Sequence, residues 1–220
     1  MVSDIDDTVV YTGVAQKIKM LWRLFFAKAQ SRTAFPGVGA LYRALHRGAS
    51  GGQRNPMLYV SRAPWSIYEA LSTFFNLHGI PIGPVLYLRY WGMTIDHPLP
   101  RQATDHKLAL IRQALDLYAD LPFILIGDSG QRDPEIYARI VRDHPGRIRA
   151  VYIREVDPAP GRRRGIAALA KETRPGGTAF LLAADSHDMA QHAARAGFLA
   201  ADAPADVLAE CEKRSLVLGQ

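Results

Sequence analysis

Turn signals and apolar runs alternate along this chain in a strand-then-helix rhythm, and no other feature limits its fold as much. Strands separated by helical patterns need crossover connections, so the rhythm predicts an α/β fold on a mostly parallel sheet with helices on both faces. "PFILIGD" (122–128) is the clearest strand. Pro134 then opens a helix through "EIYARIVRDH" that stops at Pro145-Gly146. "MLYVS" (57–61) reads as a buried strand, with Pro64 starting a helix through "WSIYEALSTFF". "RIRAVYIREV" is a further strand, and "TAFLLAADSHDMAQHAARAGF" adds one more strand and helix.

At 220 residues and 48% hydrophobic, the chain fits one globular domain, 1–220. A helical insert is expected over 12–55, built from two helical patterns separated by "RTAFPG" and followed by the loop "RGASGGQRNP". "PAPGRRRG" (158–165) reads as a polar, basic break, beyond which a strand-helix extension occupies 162–220. Only Met1 to Ser3 precede the first aspartate, whereas a strand commonly runs about five or six residues. The first strand is therefore expected to be short or incomplete, as in a domain cut from or fused within a longer protein.

The single cysteine, Cys211, excludes an internal disulfide and fits a reducing compartment. A net charge of +6 and a pI near 9.6 favour an anionic partner, or serve only solubility. No apolar run reaches membrane-spanning length and no signal-peptide pattern opens the chain, so a cytoplasmic protein is expected. No GxGxxG follows the first strand, which excludes the dinucleotide-binding fingerprint, and no nucleic-acid recognition motif is present.

Chemistry is concentrated where strands give way to loops, the end of a parallel sheet at which ligands bind. "SDIDDT" crowds Asp4, Asp6 and Asp7 into four positions, and such a cluster is kept at a solvated turn or neutralised by a cation. Ser61 closes "MLYVS" just before a helix, where a hydroxyl and free N–H groups suit a phosphate oxygen; the alternative is a turn residue. In "RQATDHKLALIRQAL", Thr104 is a candidate cap and Asp105 suits the positive end of a helix. Lys107 does not suit that end, so it is either solvated or drawn to an anionic neighbour. "ILIGDSGQRDPEIY" brings Asp128 and Asp133 to the same edge. So many carboxylates together call for a divalent cation, and hard oxygen ligands select magnesium.

In this order and at these strand ends, the four pieces resemble the haloacid dehalogenase (HAD) superfamily of aspartate-based phosphotransferases, over Ser3 to about Val156. The resemblance implies a HAD-like Rossmannoid fold with Asp4 as nucleophile, Asp6 as general acid and base, and Lys107 steadying nucleophile and phosphate. It further implies phosphate contacts from Thr8 and Ser61, and a Mg2+ set of Asp4, Asp6, Asp128 and Asp133. An acid two positions after the nucleophile points to ester hydrolysis rather than dehalogenation. Asp7 receives no chemical role. Longer strings, among them "FPGVGALYRAL", "LYVSRAPWSIYEAL" and "FILIGDSGQRDPEIYARI", resemble the catalytic domain of the actin-patch-associated phosphatidate phosphatases and their bacterial relatives. The implied reaction is Mg2+-dependent dephosphorylation of phosphatidate.

The segment Lys17 to Lys28 sets Ile18, Leu21, Trp22 and Phe25 at helical spacing between basic residues. It reads either as a helix packed on the core or a partner, or as one that touches an anionic membrane peripherally. Beside Ser61, Arg62 is a candidate phosphate contact and Trp65 a candidate contact to an apolar leaving group. Two rivals to the lipid reading stand: a phosphatase for soluble esters, and a lipid-binding module without catalysis.

Overall fold

The chain is described from a computed structural model covering residues 1–5, 8, 34–61, 68–87 and 103–218, with side chains for all of these but 87, 103, 104 and 214–218. In chain order the elements are β1 (Val2–Asp4), α1 (Val38–Arg47), β2 (Leu58–Ser61), α2 (Tyr68–Leu77) and β3 (Val85–Tyr87). Then come α3 (Ala103–Leu117), β4 (Phe123–Asp128), α4 (Asp133–Asp143), β5 (Ile148–Arg154) and α5 (Pro160–Thr173). A 3-10 turn (Arg174–Gly176), β6 (Ala179–Ala183), α6 (Ser186–Arg195) and α7 (Ala203–Leu218) complete the described chain.

The six strands form one sheet in the order β3-β2-β1-β4-β5-β6, and each described pairing is parallel. This is the α/β architecture expected from the strand-helix rhythm, and it agrees with a HAD-like Rossmannoid fold. Winding runs outward from β1 through β2 and β3, then reverses through β4, β5 and β6. The reversal lies between β1 and β4, and in such sheets the crevice for ligands opens at that point.

Residues on β4 alternate between two cores. Phe123 and Leu125 join Leu108 and Ile111 of α3, Ile136 and Ile140 of α4, and Ile166 of α5. Ile126 points the other way, into a core shared with Leu41 of α1, Phe74 of α2, Met189 of α6 and Val207 of α7. A strand covered on both faces has no polar side to show, which is why "FILI" carries no alternation.

β1 is three residues long and lies in the middle of the sheet. All three residues are buried, and ladders to β2 and β4 hold it from both sides. Central pairing compensates for its shortness.

Two readings need correction. "PAPGRRRG" is not a break: Pro160 stands in the first turn of α5, and the arginines lie inside that helix. Its only buried side chains are Ile166 and Thr173, so the apolar periodicity that marks a helix is nearly missing. Thr104 is not the residue before α3, because the helix already begins at Ala103. Two elements, β3 and α7, have no counterpart in the sequence reading. The second pattern of the insert is α1; the first, over Lys17 to Lys28, and the helix start at Pro64 lie outside the described residues.

The C-terminal helices close one face. α7 crosses the start of α1, where Gly37 takes a left-handed φ of 74°, and a Cβ there would sit 2.4 Å from Cys211 Sγ. Glu210 accepts hydrogen bonds from Arg43 Nη2 at 2.8 Å and from the Ala40 N–H at 3.2 Å. The Arg43–Glu210 pair is partly exposed, so it contributes about 0–1 kcal/mol. Among the described residues, no helix is long and apolar enough to cross a membrane.

Core packing makes a direct prediction. Leu125 is fully buried in β4, and Leu125→Ala should lower unfolding free energy by about 2–5 kcal/mol, read from urea midpoints at unchanged m-value.

Candidate active site

Four neighbouring strands, β2, β1, β4 and β5, each end in a buried polar residue: Ser61, Asp4, Asp128 and Arg154. The hydrogen-bond ladder continues one step past β1, through the Ile5 N–H to Val60 O at 3.1 Å, so Asp4 is held in sheet geometry. Register sets Ser3 beside Ile126 and therefore carries Asp4 toward the end of β4.

Two helices from the same face of the sheet complete the cluster. Lys107, in the second turn of α3, is 1% exposed and reaches the strand ends. Its Nζ donates to Asp4 Oδ1 at 2.6 Å and to Asp133 Oδ1 at 2.5 Å. Asp133, the first residue of α4, accepts the Asp128 backbone N–H on its other oxygen at 3.2 Å. Asp133 comes this close because residue 127 is glycine. A Cβ at Gly127 would lie 2.3 Å from Asp133 Oδ2 and 2.8 Å from the Tyr137 ring. Asp128 Oδ1 in turn accepts the Gln131 N–H at 2.9 Å, which turns the loop after β4 back on the strand end.

Electrostatics follow from burial. Burial alone penalises the Lys107 ammonium, but the Asp133 and Asp4 carboxylates outweigh that penalty and raise its pKa above the ordinary 10.5. Tyr137, whose ring lies 5.7 Å from Lys107 Nζ, is pushed well above its ordinary pKa, by burial first and then by Asp133, Asp4 and Asp128. It stays a neutral donor, to Ile126 O at 3.0 Å.

Asp4, Asp128 and Asp133 bring carboxylate oxygens within 4.8 Å of one another, all buried. Three buried carboxylates, two of them bonded to the Lys107 ammonium, make a hard, oxygen-only donor set that suits a divalent cation such as magnesium. Ser61 is fully buried at the neighbouring strand end. Thr8 is fully buried as well, and its hydroxyl has no hydrogen-bond partner among the described residues. Asp6 and Arg62, with Trp65, lie outside the described residues.

One residue at this edge escaped the sequence reading. Arg154, 2% exposed, donates through Nε to Thr8 O at 3.2 Å and through Nη2 to Ser186 Oγ at 2.9 Å. Its guanidinium lies 4.3 Å from the centre of the Phe35 ring, and Ser186 Oγ donates to Pro36 O at 2.7 Å. One buried cation thus ties Thr8 to the 35–36 segment and the start of α6. Burial lowers its pKa, yet an arginine remains charged. The available signal was an arginine closing the apolar run "AVYI" of β5.

Two variants test this geometry. Lys107→Met leaves its two carboxylate partners buried without their cation and should cost about 3–5 kcal/mol in metal-free protein at pH 7, read by urea unfolding. Because the folded lysine's pKa is raised, this contribution is fully present below 10.5 and fades only as pH climbs through the higher folded value. Gly127→Ala should displace Asp133 and weaken divalent-cation binding by about tenfold or more, measured by isothermal titration calorimetry.

Comparison with known proteins follows the same residues. The family model described as "Phosphatidate phosphatase APP1, catalytic domain" matches residues 1–155. The chain is 30% identical over 151 residues to phosphatidate phosphatase APP1 of Saccharomyces cerevisiae, covering 69% of this chain and 25% of that protein. It is 28% identical over 151 residues to the uncharacterized protein C29B5.04c of Schizosaccharomyces pombe, covering 69% of this chain and 24% of the relative. The chain therefore spans about a quarter of the length of the curated relatives it matches. None of the solved structures matches it.

Proposed function

The chain belongs to the family of the phosphatidate phosphatase APP1 catalytic domain, and from that premise we propose that it is a magnesium-dependent phosphatase acting on a phosphatidate-type lipid through an aspartyl-phosphate on Asp4. The observation that carries the reading is the Lys107 ammonium joining Asp4 and Asp133 inside a buried three-carboxylate cluster at the switch point of the sheet.

Each residue then has a task. The phosphate monoester docks with its oxygens toward Lys107, Ser61, Thr8 and Arg62. Lys107 offsets the repulsion between the anionic ester and the Asp4 carboxylate, which is the main obstacle in phosphoryl transfer. An Asp4 oxygen forms a bond to phosphorus as the bond from phosphorus to the glycerol oxygen breaks, and protonated Asp6 gives its proton to that leaving oxygen. Asp6, now a carboxylate, takes a proton from water as the water oxygen attacks phosphorus. The bond to Asp4 breaks, inorganic phosphate leaves, and Asp6 is again protonated. Asp4, Asp6, Asp128 and Asp133 would hold magnesium, which when bound neutralises phosphate charge. Asp133 also keeps Lys107 beside Asp4.

A lipid substrate presents its headgroup at a bilayer surface, and a net charge of +6 favours approach to an anionic one. Peripheral membrane contact by a cytoplasmic protein is part of this reading, as is the role of Lys17 to Lys28 at that contact.

Asp4→Asn should lower phosphate release from phosphatidate vesicles by about a thousandfold or more, since an amide cannot form the intermediate. Retained activity in that variant removes the mechanism. Asp6→Asn should slow phosphatidate turnover by about 10²–10⁴-fold and affect phosphorylation by p-nitrophenyl phosphate, whose leaving group needs no proton, far less. Faster turnover of sugar or nucleotide phosphates than of phosphatidate would move the assignment to soluble esters.

A further inference from the structure

The arginine run 162–164 enters none of the chemistry above, and it lies beyond the 1–155 region matched by the family model. Yet its first member reaches the loop between two acids of the candidate metal site. Arg162, on the first turns of α5, donates through Nε to Ser129 O at 2.6 Å and through Nη2 to Gln131 O at 2.5 Å. The same guanidinium binds both carboxylate oxygens of Glu135, one through Nη1 and the other through Nη2 at 3.3 Å. Ser129 and Gln131 belong to the loop that separates Asp128 from Asp133, and Glu135 sits two residues beyond Asp133 on α4.

The connection before α5 grips the same loop. Ser129 Oγ accepts the Val156 and Asp157 N–H groups at 2.9 and 2.8 Å, and Ser129 is 1% exposed. Holding Gln131 in place keeps its N–H on Asp128 Oδ1, and holding Glu135 fixes the first turn that carries Asp133. One planar fork spans both sides of the loop, a geometry that lysine cannot reproduce. By contrast, among the described residues the neighbouring Arg163 pairs with Glu155 and not with the loop.

We propose that Arg162 is a positioning residue of the metal site, setting the separation of the Asp128 and Asp133 carboxylates through loop 129–131. The inference rests on the metal-dependent reading above. It makes the helix after the family's matched region part of the phosphatase machinery.

The test uses the full chain and Mn2+ as probe, with free Mn2+ followed by electron paramagnetic resonance and unfolding followed in EDTA. Parent protein and Asp128→Asn first establish the site: Mn2+ binds the parent and is lost in the variant. Arg162→Gln should then weaken Mn2+ binding by about tenfold or more, while KM for p-nitrophenyl phosphate at saturating metal stays within about twofold. Arg162→Lys should keep at least half of the loss on a logarithmic scale, and Arg163→Gln should bind as the parent does. Folded Arg162→Gln with parental Mn2+ affinity overturns the role of Arg162 and leaves the metal site standing. A parent that binds no Mn2+, or binds it equally after Asp128→Asn, overturns the metal reading and this inference with it. If Arg162→Gln loses cooperative unfolding, Glu135→Gln decides, because it frees the fork from α4 and keeps the carbonyl contacts. A threefold or larger loss of affinity supports the proposal, and parental affinity overturns it.

Discussion

The buried ammonium of Lys107 is the interaction on which the rest of the structure turns. Taking such a charge out of water costs several kcal/mol, and it is tolerated here because two carboxylates meet it at hydrogen-bond distance. Those carboxylates come from β1 and α4, and the lysine comes from α3. Sheet and helix layer are therefore locked together at the one edge where winding reverses. Gly127 shows how tight the lock is, since even a methyl group there would meet the Asp133 carboxylate.

In the proposed mechanism the same contacts serve chemistry. A carboxylate attacking a phosphate ester faces charge repulsion, and a fixed cation beside it reduces that barrier without reorganising during the reaction. The acid cluster gives the complementary half, because Asp4, Asp128 and Asp133 form an oxygen-only set that alone would be strongly repulsive. Under that proposal the structural and catalytic demands on Lys107 coincide, and its neutral neighbour Tyr137 adds no competing charge.

Support for this edge comes from the last strand of the family's matched region and from the helices beyond it. Arg154 closes β5 and holds Thr8, Ser186 of α6 holds both that guanidinium and Pro36, and Arg162 of α5 holds the loop between the two acids. β6 extends the sheet, and α6 with α7 covers the face built by α1. The segment after residue 155 is bound into the same hydrogen-bond network as the candidate site.

The sequence by itself determined the α/β class, the strand ends and the resemblance that singles out Asp4, Lys107, Asp128 and Asp133, because strand runs, helix periods and strand-terminal acids are local patterns. The place of β1 in the middle of the sheet, with two hydrogen-bonded neighbours, depends on strands more than fifty residues away, and only tertiary structure decides that. Arg162 was hidden for a related reason: a mostly exposed helix leaves a weak apolar period, so "GRRRG" looks like a loop. Lys107 was open to two readings in the sequence, solvated or paired. The fold chose between them by bringing Asp4 and Asp133, from opposite ends of the matched region, to the same nitrogen.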